Sequence, residues 1–214
     1  MCGIFGVTGS KNNAAQVVLD GLTKLEYRGY DSWGIAVKKN DGLVRERHVG
    51  KIGGATTRLP AATIGLGHTR WATHGGATEG NAHPHFDCAS RLCLVHNGIV
   101  ENFLELKQKL KGHDFRSETD TEVAVHLFED LGLLKGFSQI VGMNAFILLD
   151  SQKNQLQAVK NGSPLIIGLG KDANYIASDV WALLDHTNRV IFMEDGQAAT
   201  ISASGVEMFD AATG

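Results

Sequence analysis

Little in this 214-residue sequence points to a membrane, a nucleic acid or an oxidising compartment. No apolar run approaches the ~18 residues that a bilayer span requires, and no signal-peptide pattern follows Met1. A net charge of −3 leaves no basic excess for a nucleic-acid footprint, so neither a nucleic-acid nor a membrane partner is expected. Cysteine is scarce. Cys2, Cys88 and Cys93 make an odd count of 3 that suits no disulfide framework, and the expected setting is the reducing cytoplasm. No composition break, low-complexity stretch or internal repeat marks a linker, so one domain over residues 1–214 is the expected organisation.

Glycine, by contrast, is plentiful. The 26 glycines exceed the usual ~7% and suit many strands joined by tight turns. Short β-branched or alternating segments bounded by Gly, Asn or Asp predict strands at 3–8, 33–39, 43–49, 63–70, 91–96, 144–150, 155–160, 165–169, 174–177, 189–193, 197–202 and 205–209. Asp41-Gly42 reads as a hairpin turn between two of them. Apolar spacing predicts helices over 14–26, 103–111 and 120–131, with capping signals at Asn12 or Asn13, at Asn102 with Glu105, and at Thr119 with Glu122. Gly29 and Gly132 read as stops. One-sided helices mixed with antiparallel-looking strands, and no βαβα order, give an α+β sandwich with helices on the outer faces of sheets.

Removal of Met1 would make Cys2 the N-terminal residue, carrying a thiol and an α-amine on one residue. That amine titrates near ~7.7–8.0 and can serve as the base for the thiol. Four further stretches bear on chemistry. Arg70, within His68-Thr69-Arg70-Trp71-Ala72-Thr73-His74-Gly75-Gly76, offers a planar fork for a carboxylate, with Trp71 placed to cover a ligand and a glycine pair to let the loop move. Read alone it is equally a surface strand end. Asn97-Gly98 supplies a side-chain amide and a backbone N–H for an oxyanion, although Asn-Gly is also a common tight turn. Asp120, in Ser117-Glu118-Thr119-Asp120-Thr121-Glu122, suits an ammonium, or merely the helix dipole. Asn81-Ala82-His83-Pro84-His85 reads as a polar loop. Together with His68, His74, His96, Cys88 and Cys93 it invites a zinc reading. Those spacings fit no usual zinc pattern, and Cys93 lies in an apolar strand, so no metal and no cofactor are expected. Taken together, a thiol with its own base, an oxyanion pair, a carboxylate partner and an ammonium partner describe a site for an α-amino acid with a side-chain amide, glutamine being the obvious occupant.

The CGIFG start, YRGYDS at 27–32, HTRWATHG at 68–75, NAHPH at 81–85, VHNG at 95–98 and SETDTE at 117–122 resemble the glutaminase (class II glutamine amidotransferase) domains of the glucosamine-6-phosphate synthase family. GSPL at 162–165 and IASD at 176–179 extend the resemblance over nearly the whole chain. The resemblance implies an N-terminal-nucleophile hydrolase fold, an αββα sandwich of two stacked antiparallel sheets between helical layers. It implies Cys2 as nucleophile, Asn97 and Gly98 as oxyanion hole, and Arg70 and Asp120 as partners of the carboxylate and α-amino group of L-glutamine. Trp71, Thr73 and His74 fall on a loop over the substrate, and Arg28 and His83 match motif positions nearby. The implied reaction is hydrolysis of glutamine through a γ-glutamyl thioester. The ammonia would pass to sugar-isomerase domains, absent from this chain, that convert fructose 6-phosphate to glucosamine 6-phosphate. Trp33 and the short 51–62 stretch depart from the family pattern. A stand-alone glutaminase with another acceptor and a catalytically silent glutamine-binding module stay open as alternatives.

Overall fold

The computed structural model describes residues 2–40 and 42–214. The first sheet is built from β1 (Gly3–Thr8), β2 (Ser32–Lys39), β3 (Gly42–Val49), β4 (Ile64–Arg70), β9 (Ile166–Leu169), β10 (Asn174–Ala177) and β11 (Val190–Phe192), in the order β11-β9-β10-β1-β4-β2-β3. The second holds β5 (His85–Phe86), β6 (Leu92–Gly98), β7 (Asn144–Asp150), β8 (Gln155–Asn161), β12 (Gln197–Ser202) and β13 (Val206–Asp210), in the order β13-β12-β8-β7-β6-β5. Every strand pair is antiparallel. The helices are α1 (Ala14–Leu25), α2 (Phe103–Lys109), α3 (Asp120–Leu131) and α4 (Leu133–Phe137).

Side-chain alternation sorts the strands into three cores. On β1, Phe5 and Val7 point to Val18, Leu22 and Leu25 of α1, while Ile4 points the other way. On β6 and β7, Cys93, Val95, Ala145 and Ile147 meet Ile4, Leu66 and Ile176 between the sheets. Leu94, Phe146 and Leu148 face outward onto Leu106, Val123 and Phe128 of α2 and α3. The result is a four-layer α/β/β/α sandwich, as the resemblance implied. All six residues of β1 are buried. A strand covered on both faces has no polar face, which is why it reads as a nearly continuous apolar run.

The close approach of α1 to its sheet depends on small residues. A Cβ on Gly21 would stand 2.5 Å from the Phe5 ring, and one on Gly67 would stand 2.7 Å from Val18 Cγ1. Neither position tolerates a side chain without moving the helix.

The twelve expected strands and three expected helices all form, with ends shifted by up to two residues. The Asp41-Gly42 turn includes Asp41, which lies outside the described residues. β5 and α4 were not foreseen. Two and five residues are too few to establish a period, and the polar NAHPH segment reads as loop until its tail pairs with β6. Two capping expectations fail. Asn13 makes no side-chain cap on α1, and Asn102 makes none on α2. The Asn102 side chain instead donates to Gln139 O and accepts from Val141 N, tying the helix start to the loop before β7. Thr119 does cap α3 by accepting from Glu122 N at 3.3 Å. The reciprocal half of that box is absent, because the Glu122 carboxylate accepts from Arg116 N, Ser117 N and Ser117 Oγ.

Phe5 fills the contact between α1 and the first sheet and is fully buried. Phe5→Ala should destabilise the fold by about 3–5 kcal/mol in urea denaturation, the range for a large aromatic deleted from a packed core. A loss below about 1 kcal/mol would contradict that packing.

Candidate active site

Strand register brings the scattered motifs together. Gly3 pairs with Thr69 and Ser32 with Arg70, so the start of β1 lies beside the end of β4, and Cys2 meets the chain as it leaves Arg70. Trp71 N–H donates to Cys2 Sγ at 3.2 Å, and the thiol reaches Trp71 O at 3.6 Å. From the second sheet, Asn97 at the end of β6 donates its side-chain amide to Cys2 O at 2.9 Å. Arg28, in the 3-10 turn after α1, donates Nε to the same carbonyl at 3.0 Å. Two donors from different layers therefore hold the backbone of the candidate nucleophile.

Arg28 is itself braced. Its Nη1 meets Asp179 Oδ2 at 3.1 Å, and Tyr27 Oη donates to the same oxygen at 2.7 Å. Against the upward push of partial burial, hydrogen bonds from Tyr27 and Trp181 and the nearby charge of Arg28 hold Asp179 below the ordinary carboxylate value. Sequence reasoning assigned Asp179 no role, although the IASD motif that carries it was visible. Asp31 was missed in the same way. Its Oδ2 accepts from Ala72 N at 2.8 Å and fixes the start of the loop after β4.

Gly98 sits at φ 132, and a Cβ there would lie 2.0 Å from Met143 O. Only glycine fits, which explains a residue that turn statistics alone would make ordinary. Asp120 is the first residue of α3. It is buried, and its Oδ2 accepts from Val100 N at 2.8 Å. Arg70 is also buried, and it donates to three successive backbone carbonyls, those of His74, Gly75 and Gly76. The loop of residues 71–80 thus folds back onto the guanidinium. Asn81 strengthens the closure through Gly76 O and a two-way contact with Glu118. His74 packs edge-on to Phe103, with ring centres 5.0 Å apart.

Two hollows meet at Cys2. A narrow one of about 10 Å³ reaches Arg70, His74 and Asp120, with room for about one water. A wider cavity of about 370 Å³ opens past Asn97, Ile99 and Met143. Cys2, Trp71, Thr73 and Gly98 line both.

His83 lies beneath the site within a chain of buried histidines. His68 Nε2 meets His96 O at 2.9 Å, His68 Nδ1 meets His83 Nδ1 at 3.0 Å, and His83 Nε2 meets Thr121 Oγ1 at 2.7 Å. Burial pulls His68 down to about 3 and His83 well below its ordinary value. One proton order then satisfies the chain. His68 donates to the carbonyl and accepts from His83, and His83 accepts from the Thr121 hydroxyl. These are core histidines supporting the start of α3, and they account for His68 and His83 among the side chains that had invited a zinc reading.

Residues 54–207 match the family model of the glutamine amidotransferase domain. The chain belongs to that family. Its curated relatives include the glutamine–fructose-6-phosphate aminotransferases (isomerizing) of Thermus thermophilus, 46% identical, and Aquifex aeolicus, 45% identical, each alignment covering 98% of this chain. The chain spans 37% of the length of the Thermus relative and 38% of the Aquifex one. Among solved structures, glutamine phosphoribosylpyrophosphate amidotransferase from B. subtilis superposes over 100% of this chain and 50% of its own, with TM-score 0.85 at 26% identity. A glutamine aminotransferase class-II domain protein from Silicibacter pomeroyi gives TM-score 0.67 at 16% identity, covering 98% and 99% of the two chains, and shows the shared fold. The architecture is the N-terminal-nucleophile hydrolase sandwich of the amidotransferases.

In this amidotransferase domain, burial pushes the Cys2 thiol up, while the Trp71 N–H bond and the charges of Arg70 and Arg28 pull the other way. The thiolate fraction at neutral pH is therefore smaller than for a free cysteine. Iodoacetamide labelling of Cys2 in the Met1-bearing chain, followed by mass spectrometry against pH, should rise with a midpoint above that of a free cysteine. A midpoint below the free-cysteine value of about 8.5 would contradict the burial argument.

Proposed function

We propose that this domain hydrolyses L-glutamine to glutamate and ammonia, with Cys2 as the nucleophile. The observation that carries the reading is the single hollow joining Cys2 to a buried guanidinium and a buried carboxylate, Arg70 and Asp120. An α-amino acid presents the complementary pair, a carboxylate and an ammonium on one carbon, and its side-chain amide then extends toward Cys2.

The steps follow from the groups present. The α-amine of Cys2, free once Met1 has been removed, accepts the thiol proton, and Sγ attacks the amide carbon. The oxyanion that forms is held by the second N–H of the Asn97 amide, the first being given to Cys2 O, and by the Gly98 N–H. The C–N bond breaks and the ammonium of Cys2 returns its proton to the leaving amine, releasing ammonia. Water, deprotonated by the same amine, hydrolyses the γ-glutamyl thioester to glutamate and restores the thiol. Arg28 acts on position rather than chemistry, by holding the Cys2 carbonyl. Trp71, Thr73 and His74 form the cover over the substrate.

We take residues 1–214 as one glutaminase domain working in the cytoplasm, where a nucleophilic thiol stays reduced. Its partner is a pair of sugar-isomerase domains, in a longer chain or a separate subunit. They would use the ammonia to convert fructose 6-phosphate to glucosamine 6-phosphate. Support for that acceptor comes from identity: relatives named for fructose 6-phosphate stand at 42–46%, against 26% for the phosphoribosylpyrophosphate enzyme.

Glutamate release should be measured on protein whose Met1 has been removed. Cys2→Ala should abolish it, Asn97→Ala should lower kcat about 10²–10³-fold, and Arg70→Ala and Asp120→Asn should act mainly by raising KM. Chain that keeps Met1 should be inactive. An unchanged rate in Cys2→Ala refutes the nucleophile, and tight glutamine binding without product would favour a silent binding module.

A further inference from the structure

Away from Cys2, four side chains from three parts of the chain converge on one point. Cys88 lies in the turn after β5, His113 in the connection between α2 and α3, and His126 and Glu129 on α3. One ligand atom from each lies within 4.8 Å of every other. Cys88 Sγ stands 3.4 Å from His113 Nδ1 and 3.6 Å from His126 Nδ1. The two Nδ1 atoms are 3.1 Å apart, and Glu129 Oε2 lies 3.2 Å from His113 Nδ1 and 3.1 Å from His126 Nδ1.

Five of the six separations match the edges of a coordination tetrahedron, and the sixth, Cys88 Sγ to Glu129 Oε2, lies within 4.8 Å. Zinc bonds of ~2.05 Å to nitrogen or oxygen and ~2.3 Å to sulfur place ligand atoms about 3.3 Å apart for N–N and N–O, and about 3.6 Å apart for N–S. A second observation points the same way. His113 Nε2 faces Asp130 Oδ2 at 3.2 Å, which fixes the Nε2–H tautomer and leaves the Nδ1 lone pair directed at the common centre. Carboxylate–histidine pairs of this kind stand behind metal ligands. With a lone pair on His113 Nδ1, hydrogens serve only some of the five short contacts, whereas one cation serves all four atoms. The donor set, a thiolate, two imidazoles and a carboxylate, selects zinc over calcium or magnesium.

We propose that Cys88 Sγ, His113 Nδ1, His126 Nδ1 and Glu129 Oε2 bind one Zn²⁺ as a closed structural site. The site joins the β5–β6 turn and the α2–α3 connection to helix α3. Binding forms the Zn–S bond and releases the Cys88 thiol proton to solvent. Four protein ligands leave no open position, so the ion has no part in glutamine chemistry.

The test is the metal content of untagged protein after dialysis into zinc-free buffer, with cobalt(II) titration as a spectroscopic probe. About one equivalent of zinc should be retained, and cobalt should give a thiolate-to-metal charge-transfer band and a tetrahedral visible spectrum. Cys88→Ser, a near-isosteric change at an exposed residue, should lose both while keeping its circular dichroism. Asp130→Asn should weaken zinc binding about 10–100-fold. Cys2→Ala should leave stoichiometry and band unchanged. The proposal is overturned if zinc neither stays bound nor raises the melting temperature, or if the band follows Cys2 rather than Cys88.

Discussion

The site depends on how the backbone of Cys2 is held. Chain ends fray unless something ties them down. Here one carbonyl accepts from Asn97 Nδ2 at 2.9 Å and from Arg28 Nε at 3.0 Å. Asn97 belongs to the second sheet, whereas Arg28 follows α1 and is braced by Asp179 just beyond β10 of the first. The direction of the Cys2 side chain is therefore set by the stacking of two sheets, and on the proposed reaction the inter-sheet core of Ile4, Leu66, Val95 and Ile147 belongs to the geometry of attack. A change that slid one sheet over the other would separate Asn97 from Cys2.

Arg70 carries a second constraint. Three of its five N–H donors go to the carbonyls of His74, Gly75 and Gly76, which leaves two outside those bonds for a ligand. A substrate carboxylate would make stronger, charge-assisted bonds than those neutral carbonyls. On the proposed reaction, one guanidinium then ties the substrate carboxylate to the loop that covers it. The space of about 10 Å³ lined by Arg70 and Asp120 is smaller than an amino acid and must widen before one enters.

Much of this architecture was legible in the chain, for identifiable reasons. Strands such as β6 and β7 are short apolar runs bounded by turn residues, and that signal survives burial on both faces. β5 and α4 were too short to show a period. The Asn102 cap was misread because an asparagine before a helix can bond to any nearby backbone, and here its side chain is taken up by Gln139 O and Val141 N. Among the residues that the fold gathers around Cys2, Arg70, Asn97, Gly98 and Asp120 stood out in the chain by residue type in motif context. Asp31 and Asp179 did not, since each acts through another residue at a distance only the fold defines. The cluster at Cys88 was hidden for the same reason. Its spacings of 25 to His113 and 13 more to His126 match no short motif, and His126 with Glu129 looks like an ordinary helical i,i+3 pair.

Helix α3 connects these features. Its first turn presents Asp120 to the hollow beside Cys2 and Thr121 to the buried histidines, and its last two turns present His126 and Glu129 to the second cluster. Asp120 and Glu129 are nine residues apart, about 14 Å along the axis. A helix of 12 residues packed by Val123, Leu127 and Phe128 against the second sheet transmits displacement with little bending. At its N-terminus the buried Asp120 and Glu122 carboxylates are paired with the N–H groups of Val100, Arg116 and Ser117 rather than with cations. Those bonds fix the first turn against its neighbours, so the helix is pinned at the active-site end by hydrogen bonds and, on the zinc proposal, at the other end by metal. On the proposed reaction, a displacement of that first turn would act first on recognition of the substrate ammonium by Asp120, not on the thiol.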